Sequence, residues 1–181
     1  MWWIVGVFIF LAVVFVLLYN GLVKLKNQLE NSFAQIDTQL QRRFDLIPNL
    51  VETVKGFAAH ESAVFENVTA ARAATANART VAEKAEADNR LTSTLKTLFA
   101  VSENYPDLRA NSNFKELHAE LVNTENKIAF SRQFYNDSVN KFNTAIALFP
   151  KNIVAAMIKY EKAEYFQVMD ATTRGAVKVQ F

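Results

Sequence analysis

Residues able to do acid–base, metal or ion-pair chemistry are strung along the chain at helical spacings rather than gathered in a motif. His118, Glu125 and Arg132 follow one another every seventh residue, and Asn136 and Asn143 do the same on a neighbouring stripe. Nearer the N-terminus, Arg42, Arg43, Asp45, Glu52 and Lys55 supply charges of both signs. Side chains seven apart share one face of a helix, about 10 Å from each other. They therefore make a polar stripe, not a compact catalytic group. Stripes of this kind form interhelical ion pairs and amide hydrogen bonds that fix which helix faces which. The other use open to them is to line a groove for a partner protein.

The residue types that common catalytic motifs need are missing or misplaced. His60-Glu61 lacks the second histidine of a HExxH zinc motif, and the remaining histidine, His118, is far away in sequence. There is no Glu-x-x-His pair of the kind that holds two irons in a helical bundle. Gly6, Gly21, Gly56 and Gly175 are scattered and build no phosphate loop, and no serine has a GxSxG context. Without cysteine the chain has no disulfide, thiolate zinc site, cysteine nucleophile or lipidated cysteine. The net charge of +2 is spread without a run of Lys and Arg, which argues against a nucleic-acid groove or a strongly polybasic lipid patch. The sequence thus predicts no enzymatic activity, no metal, no cofactor and no nucleic-acid partner.

The elements that carry these residues are helices, and the first of them points to a lipid bilayer as a partner. Residues 1–18, MWWIVGVFIFLAVVFVLL, contain no charge and no proline. At ~1.5 Å per residue such a helix spans roughly the ~30 Å hydrocarbon layer. Trp2 and Trp3 at one end and Tyr19 at the other suit the two interfaces. A cleaved signal peptide would carry a basic stretch ahead of the apolar run and a small-residue cleavage pattern behind it, and neither is present. Residues 1–19 are expected to form a single-pass anchor. Lys24, Lys26, Arg42 and Arg43 follow it and no cation precedes it, so the positive-inside rule predicts a cytoplasmic body and a short tail outside, against an outward-facing alternative.

Beyond the anchor, Leu22, Leu25, Leu29, Phe33, Ile36, Leu40, Phe44, Ile47 and Val51 recur at three, four and four. This eleven-residue period, about 3.67 residues per turn, is that of a nearly undistorted helix. The anchor is therefore expected to run on into the body. Pro48 lies inside the register and cannot donate to the carbonyl of Phe44, so a kink is expected there, or a restart capped by Asp45. Residues 70–90, Ala-rich and charged, favour helix but offer little to bury, as expected at the exposed end of a hairpin. A turn is expected around Pro106.

From Asn113 to Phe149 there is no glycine or proline, while Phe114, Leu121, Ile128, Tyr135, Phe142 and Phe149 recur every seventh residue. That predicts a helix of roughly 36 residues with one long buried face, ended by Pro150. A last short helix is expected after Pro150, and the end, TRGAVKVQF, reads as irregular. The predicted class is all-α: one transmembrane helix (1–19), an elongated antiparallel bundle of long helices (20–160) and a C-terminal short helix with an irregular tail (161–181).

The stretches YNGLVKLKN, QIDTQLQRRFDLIPNLVETVKGFAAHE, SENYPDLRANSNFKELHAELVNTENKIAFSRQFYNDSVNKFNTAIALFP and a terminal KVQF resemble the LemA family of bacterial membrane proteins along nearly the whole chain. The resemblance implies an inner-membrane helix followed by a helical bundle, and no established reaction. It marks as signature residues Arg42, Arg43, Asp45, Leu46, Ile47, Pro48, Asn49 and Leu50, then Tyr105, Pro106, Leu108 and Asn111. On the long helix it marks Glu125, Asn126, Ile128, Arg132, Tyr135, Asn136 and Asn143. Relatives include a magnetosome protein tied to membrane invagination, and family genes often neighbour membrane zinc metalloproteases. The implied roles are a scaffold for other membrane or envelope proteins, such as a metalloprotease, or membrane remodelling through homo-oligomers.

Overall fold

Helix α1, Trp2–Lys55, is one 54-residue helix with Pro48 inside it, in the computed structural model, which describes residues 2–167. Up to Leu17 its side chains are apolar on every side and almost all are exposed. A helix apolar all round belongs in a core or a membrane, and the rest of the described chain does not cover it. Among the described residues α1 alone is long and apolar enough to cross a bilayer. From Leu22 onward only a stripe is buried. Leu22, Leu29, Ile36, Ile47 and Val51 are in the core, while Leu25, Phe33, Leu40 and Phe44 are half-buried. The eleven-residue register is thus the packed face of α1, and the helix ends at Lys55, not at Pro48.

Five further helices follow: α2 (Ser62–Asn77), α3 (Val81–Ser102), α4 (Pro106–Ala110), α5 (Ser112–Ala147) and α6 (Lys151–Met157), with no strand among the described residues. The structure divides into two compact units, one built from the chain up to Gln39 with Lys127–Tyr165, the other from Leu40–Asn126 with the segment that starts at Phe166.

In the first unit Leu22, Leu29 and Ile36 of α1, Ile128, Tyr135, Val139 and Phe142 of α5, and Val154 and Ala155 of α6 are buried. Leu22, Ala145, Val154 and Ala155 form one cluster, edged by Leu18 and Leu25. Phe33 meets the ring of Tyr135 at 5.6 Å, and Phe142 meets that of Tyr160 at 5.6 Å. The small residues beside the aromatic repeat, Ser131, Ser138 and Ala145, are buried as well, and Ser138 returns its hydroxyl to the carbonyl of Phe134 at 3.0 Å. Such back-bonding satisfies a buried hydroxyl without a partner on another helix. The seven-residue repeat departs from the expected seam at its last member: Phe149 lies beyond the end of α5 and is exposed.

The last short helix, α6, starts at once after Pro150 and is only seven residues long. Lys159 then takes a left-handed φ of 55° and turns the chain, with the Tyr160 N–H donating to the Ala155 carbonyl at 3.0 Å. The following residues carry no regular structure but are tied to α5. Asn143 accepts from the Ala163 N–H at 2.8 Å and donates to the Ala163 carbonyl at 3.0 Å, while the Tyr135 hydroxyl donates to the Glu164 carbonyl at 2.9 Å. Asn143 therefore holds a C-terminal segment and not, as the stripe suggested, a facing helix. The expected ending TRGAVKVQF lies outside the described residues.

The second unit packs Ile47, Leu50, Val51 and Val54 of α1 against Phe65 and Val68 of α2, Leu91, Leu95 and Leu98 of α3, and Phe114 and Leu121 of α5. Residues 70–90 are the end of α2 and the start of α3, the end of a helical hairpin, as the composition suggested. Ala78 closes the first, and Thr80 begins the second through a capping box: its hydroxyl accepts from the Glu83 N–H at 3.1 Å, and Glu83 accepts from the N–H groups of Thr80 and Arg79. Hydrogen bonds from those two backbone groups, Thr80 first, hold the Glu83 carboxyl below its usual range. This stretch also buries more than expected, since Ala71, Ala85, Ala87 and Asp88 are all inside. Pro106 opens α4, where its missing N–H costs nothing. Asn111 caps α5 by accepting from the Phe114 N–H at 3.1 Å.

Candidate functional site

Arg43 is the centre of a buried polar cluster in the second unit. It sits on α1 between the core positions of the register and is only 2% exposed. On α3, Asp88 and Thr92 are one turn apart and face it together. Arg43 Nη1 lies 2.7 Å from Asp88 Oδ1, and Nη2 donates to Thr92 Oγ1 at 2.7 Å. Glu125 of α5 places Oε2 3.0 Å from Nη1, at the half-exposed edge of the cluster. Burial lowers the guanidinium pKa and the Glu125 carboxylate opposes that shift. Arginine begins so high that it remains a cation, and carboxylates from two other helices lie against it.

Beside this cluster, α3 and α5 leave an open groove of about 170 Å³. Arg43 and Glu125 form one wall, Phe99 and Val122 supply apolar surface, and Lys96 and Asn126 complete the rim. No histidine, serine or cysteine lines it, and the groove combines apolar area with charges of both signs. An arrangement of this kind can hold an apolar side chain and orient a polar neighbour.

A second polar device answers the proline. Pro48 has no N–H for the carbonyl of Phe44. Arg72, from α2, fills the vacancy: its Nε donates to the Phe44 carbonyl at 3.1 Å, and its guanidinium lies 3.7 Å from the centre of the Phe44 ring. One cation thus replaces the lost helical hydrogen bond and makes a cation–π contact. Arg72→Ala is expected to destabilise the second unit by about 1.5–3 kcal/mol, the range for a hydrogen bond from a charged donor. In a Pro48→Ala background the helix regains its own donor, and the same change should cost roughly 1 kcal/mol less. Urea titration of the four proteins of this cycle checks the coupling, and an equal cost of Arg72→Ala in both backgrounds would sink the account.

The other singled-out residues are dispersed. Arg42 pairs with Glu120 near the surface, Asp45 accepts from Gln41 at 2.9 Å within its own helix, and Asn49 is exposed. Glu52 pairs with Lys55 one turn on, at 3.1 Å. Arg132 and Asn136 belong to the first unit, whereas the contacts of Arg43 are all made in the second. His118 stands edge-on to the Phe99 ring at 4.5 Å and stacks with Phe114 at 6.1 Å, and His60 is exposed. Trp2, Trp3 and Tyr19 are exposed on α1, with Tyr19 stacked on Phe15.

The cluster's two α3 members, Asp88 and Thr92, were not singled out by sequence reasoning, and neither was Arg72. Asp88 lies in a stretch whose charge and alanine content read as solvated. Its one signal is the set of alanines around it, small enough for helices to approach.

The sequence model of the LemA family matches residues 32–181, which takes in all of the second unit together with α5 and α6. The chain belongs to the LemA family. Two magnetosome proteins MamQ of Paramagnetospirillum magneticum are each 26% identical over 82% of this chain, and the MamQ of Magnetospirillum gryphiswaldense is 24% identical over 82%. The match spans 64% of the length of these three relatives. Protein LemA of Metamycoplasma hominis is 24% identical over 92% of this chain and 75% of its own length. In this LemA-family chain the Arg43 cluster and the groove both lie inside the matched region, whereas most of the apolar part of α1 precedes it.

Proposed function

We propose that this LemA-family chain is a membrane-anchored scaffold, not an enzyme, whose helical body holds other membrane or envelope proteins at the bacterial cell membrane. The observation that carries this reading is the change along α1 from a surface apolar all round, up to Leu17, to a single buried stripe from Leu22 onward, with no interruption of the helix. A helix of that design ties a folded body to a bilayer. The lysines that follow the apolar run support a cytoplasmic body. On that body the α3–α5 groove is the surface of choice for a partner, because an apolar slot flanked by Lys96 and Glu125 selects an apolar anchor beside a polar or charged neighbour.

A photoreactive amino acid at Val122, exposed on the groove, tests the reading in intact cells. The expected result is a discrete crosslink to a second membrane or envelope protein, a membrane metalloprotease being one candidate, and its loss when Lys96 and Glu125 are reversed in charge. An absence of crosslinks from Val122 in membranes that retain the protein would refute the scaffold.

A second reading, self-assembly that remodels the membrane, draws on the similarity to the magnetosome proteins. It predicts that Val122 crosslinks only to a second copy and that the purified chain deforms liposomes. Monomers that leave vesicles unchanged would exclude it.

A further inference from the structure

The corner between α5 and α6 presents an apolar face that the first unit leaves uncovered. α5 ends at Ala147 and α6 begins at Lys151. Phe149, Ile153 and Met157 follow one another at four-residue spacing and are 78%, 54% and 66% exposed, with Leu148 at 59% beside them. The opposite face of α6 is spoken for: Val154 and Ala155 are buried against Leu22, and Leu18 borders the same cluster. Four large apolar side chains gathered at one corner, two in the turn after α5 and two on α6, are not the scattered surface hydrophobes of an ordinary soluble domain.

Two observations say what covers this face. Leu18 is the last residue of the wholly apolar run of α1, ahead of Tyr19 and Asn20, and Leu22 lies one turn beyond it. The cluster that joins α6 to Leu22, bordered by both Leu18 and Leu25, sets the corner near the level where α1 leaves that run, which for a bilayer-spanning helix is the headgroup–acyl boundary. The charge pattern agrees. Residues 1–29 and 138–160, which build this end of the unit, contain Lys24, Lys26, Lys141, Lys151 and Lys159 and no acidic residue. Lys26 pairs with Glu30 at 3.4 Å, and the other four lysines beside the apolar side chains match an interface with anionic lipids.

We propose that the α5–α6 corner is a second membrane contact, in which Leu148, Phe149, Ile153 and Met157 enter the interfacial layer of an anionic bilayer beside α1 while the surrounding lysines meet its headgroups. This rests on the reading of α1 as a membrane span. A single helix would leave the first unit free to rotate and tilt about its point of exit. The second contact holds one side of the unit against the lipid.

The absence of cysteine from the chain makes the test direct. Phe149→Cys and Met157→Cys, each carrying a nitroxide, are prepared in the full chain and reconstituted into phosphatidylcholine vesicles containing one third phosphatidylglycerol. Phe10→Cys reports on α1 in the same way. Power saturation with oxygen and with a water-soluble nickel chelate should find all three labels more accessible to oxygen than to nickel, with Phe10 deepest and the two corner positions near the headgroups. A lipid-buried Phe10 label with corner labels open to nickel would overturn the second contact and leave the span intact. Corner labels shielded from both reagents would overturn it in favour of a protein cover, either a partner or a second copy. An aqueous Phe10 label would remove the span itself, and the proposal with it.

Discussion

Asp88→Ala is expected to lower the unfolding free energy of the second unit by about 3–5 kcal/mol, the cost of removing one member of a buried ion pair. Arg43 is nearly inaccessible to water, and its closest carboxylate is Asp88, itself fully buried. Removal of that carboxylate leaves the cation with Thr92 and the half-exposed Glu125. Glu125 offsets part of the loss, but from a position that water already screens. The double variant Arg43→Met/Asp88→Leu removes both charges and fills the space with apolar atoms, so it should recover most of the stability. Urea denaturation followed by far-ultraviolet circular dichroism checks the set. A cost below about 1 kcal/mol for Asp88→Ala would mean that water reaches the pair.

Phe142→Ala and Phe149→Ala make a second comparison, because the two phenylalanines occupy equivalent places in the seven-residue repeat. Phe142 is buried, with the Tyr160 ring at 5.6 Å and the Lys26 ammonium 5.9 Å from its own ring centre. Its truncation should cost about 3–5 kcal/mol, as for a core aromatic. Phe149 is exposed past the end of α5, and in detergent solution its truncation should stay within about 0.5 kcal/mol. Thermal melts of the two variants separate these outcomes. Similar losses in both would mean that the repeat remains a packed seam through Phe149.

The contrast also marks how far the sequence could be read. Periodicity reports which residues share a face while the helix lasts. It gave the packed stripe of α1 and the buried face of α5 because both helices are long and few breakers interrupt them. It could not show that Phe149 lies beyond the helix, since Pro150 marks a stop without saying how many residues before it the helix unwinds. The candidate site was half legible in the same way. Arg43 and Glu125 stood out as charges beside apolar seams, whereas Asp88 is charged among alanines and resembles a solvated surface until the facing helix is in place. Pro48 announced an unsatisfied carbonyl at Phe44. Which side chain would satisfy it depends on α2 packing back against α1, and Arg72 is 28 residues away.

The order of the chain has a consequence in time. The first unit joins residues up to Gln39 with Lys127–Tyr165, so nearly ninety residues are made between its two parts. At synthesis rates of about 5–20 residues per second, Leu22, Leu29 and Ile36 wait roughly 5–20 s for the α5 residues that cover them. During that interval α1 carries an apolar stripe that a chaperone or a neighbouring nascent chain can reach. The second unit, drawn almost wholly from Leu40–Asn126, has its α1, α2, α3 and α4 segments in hand well before then.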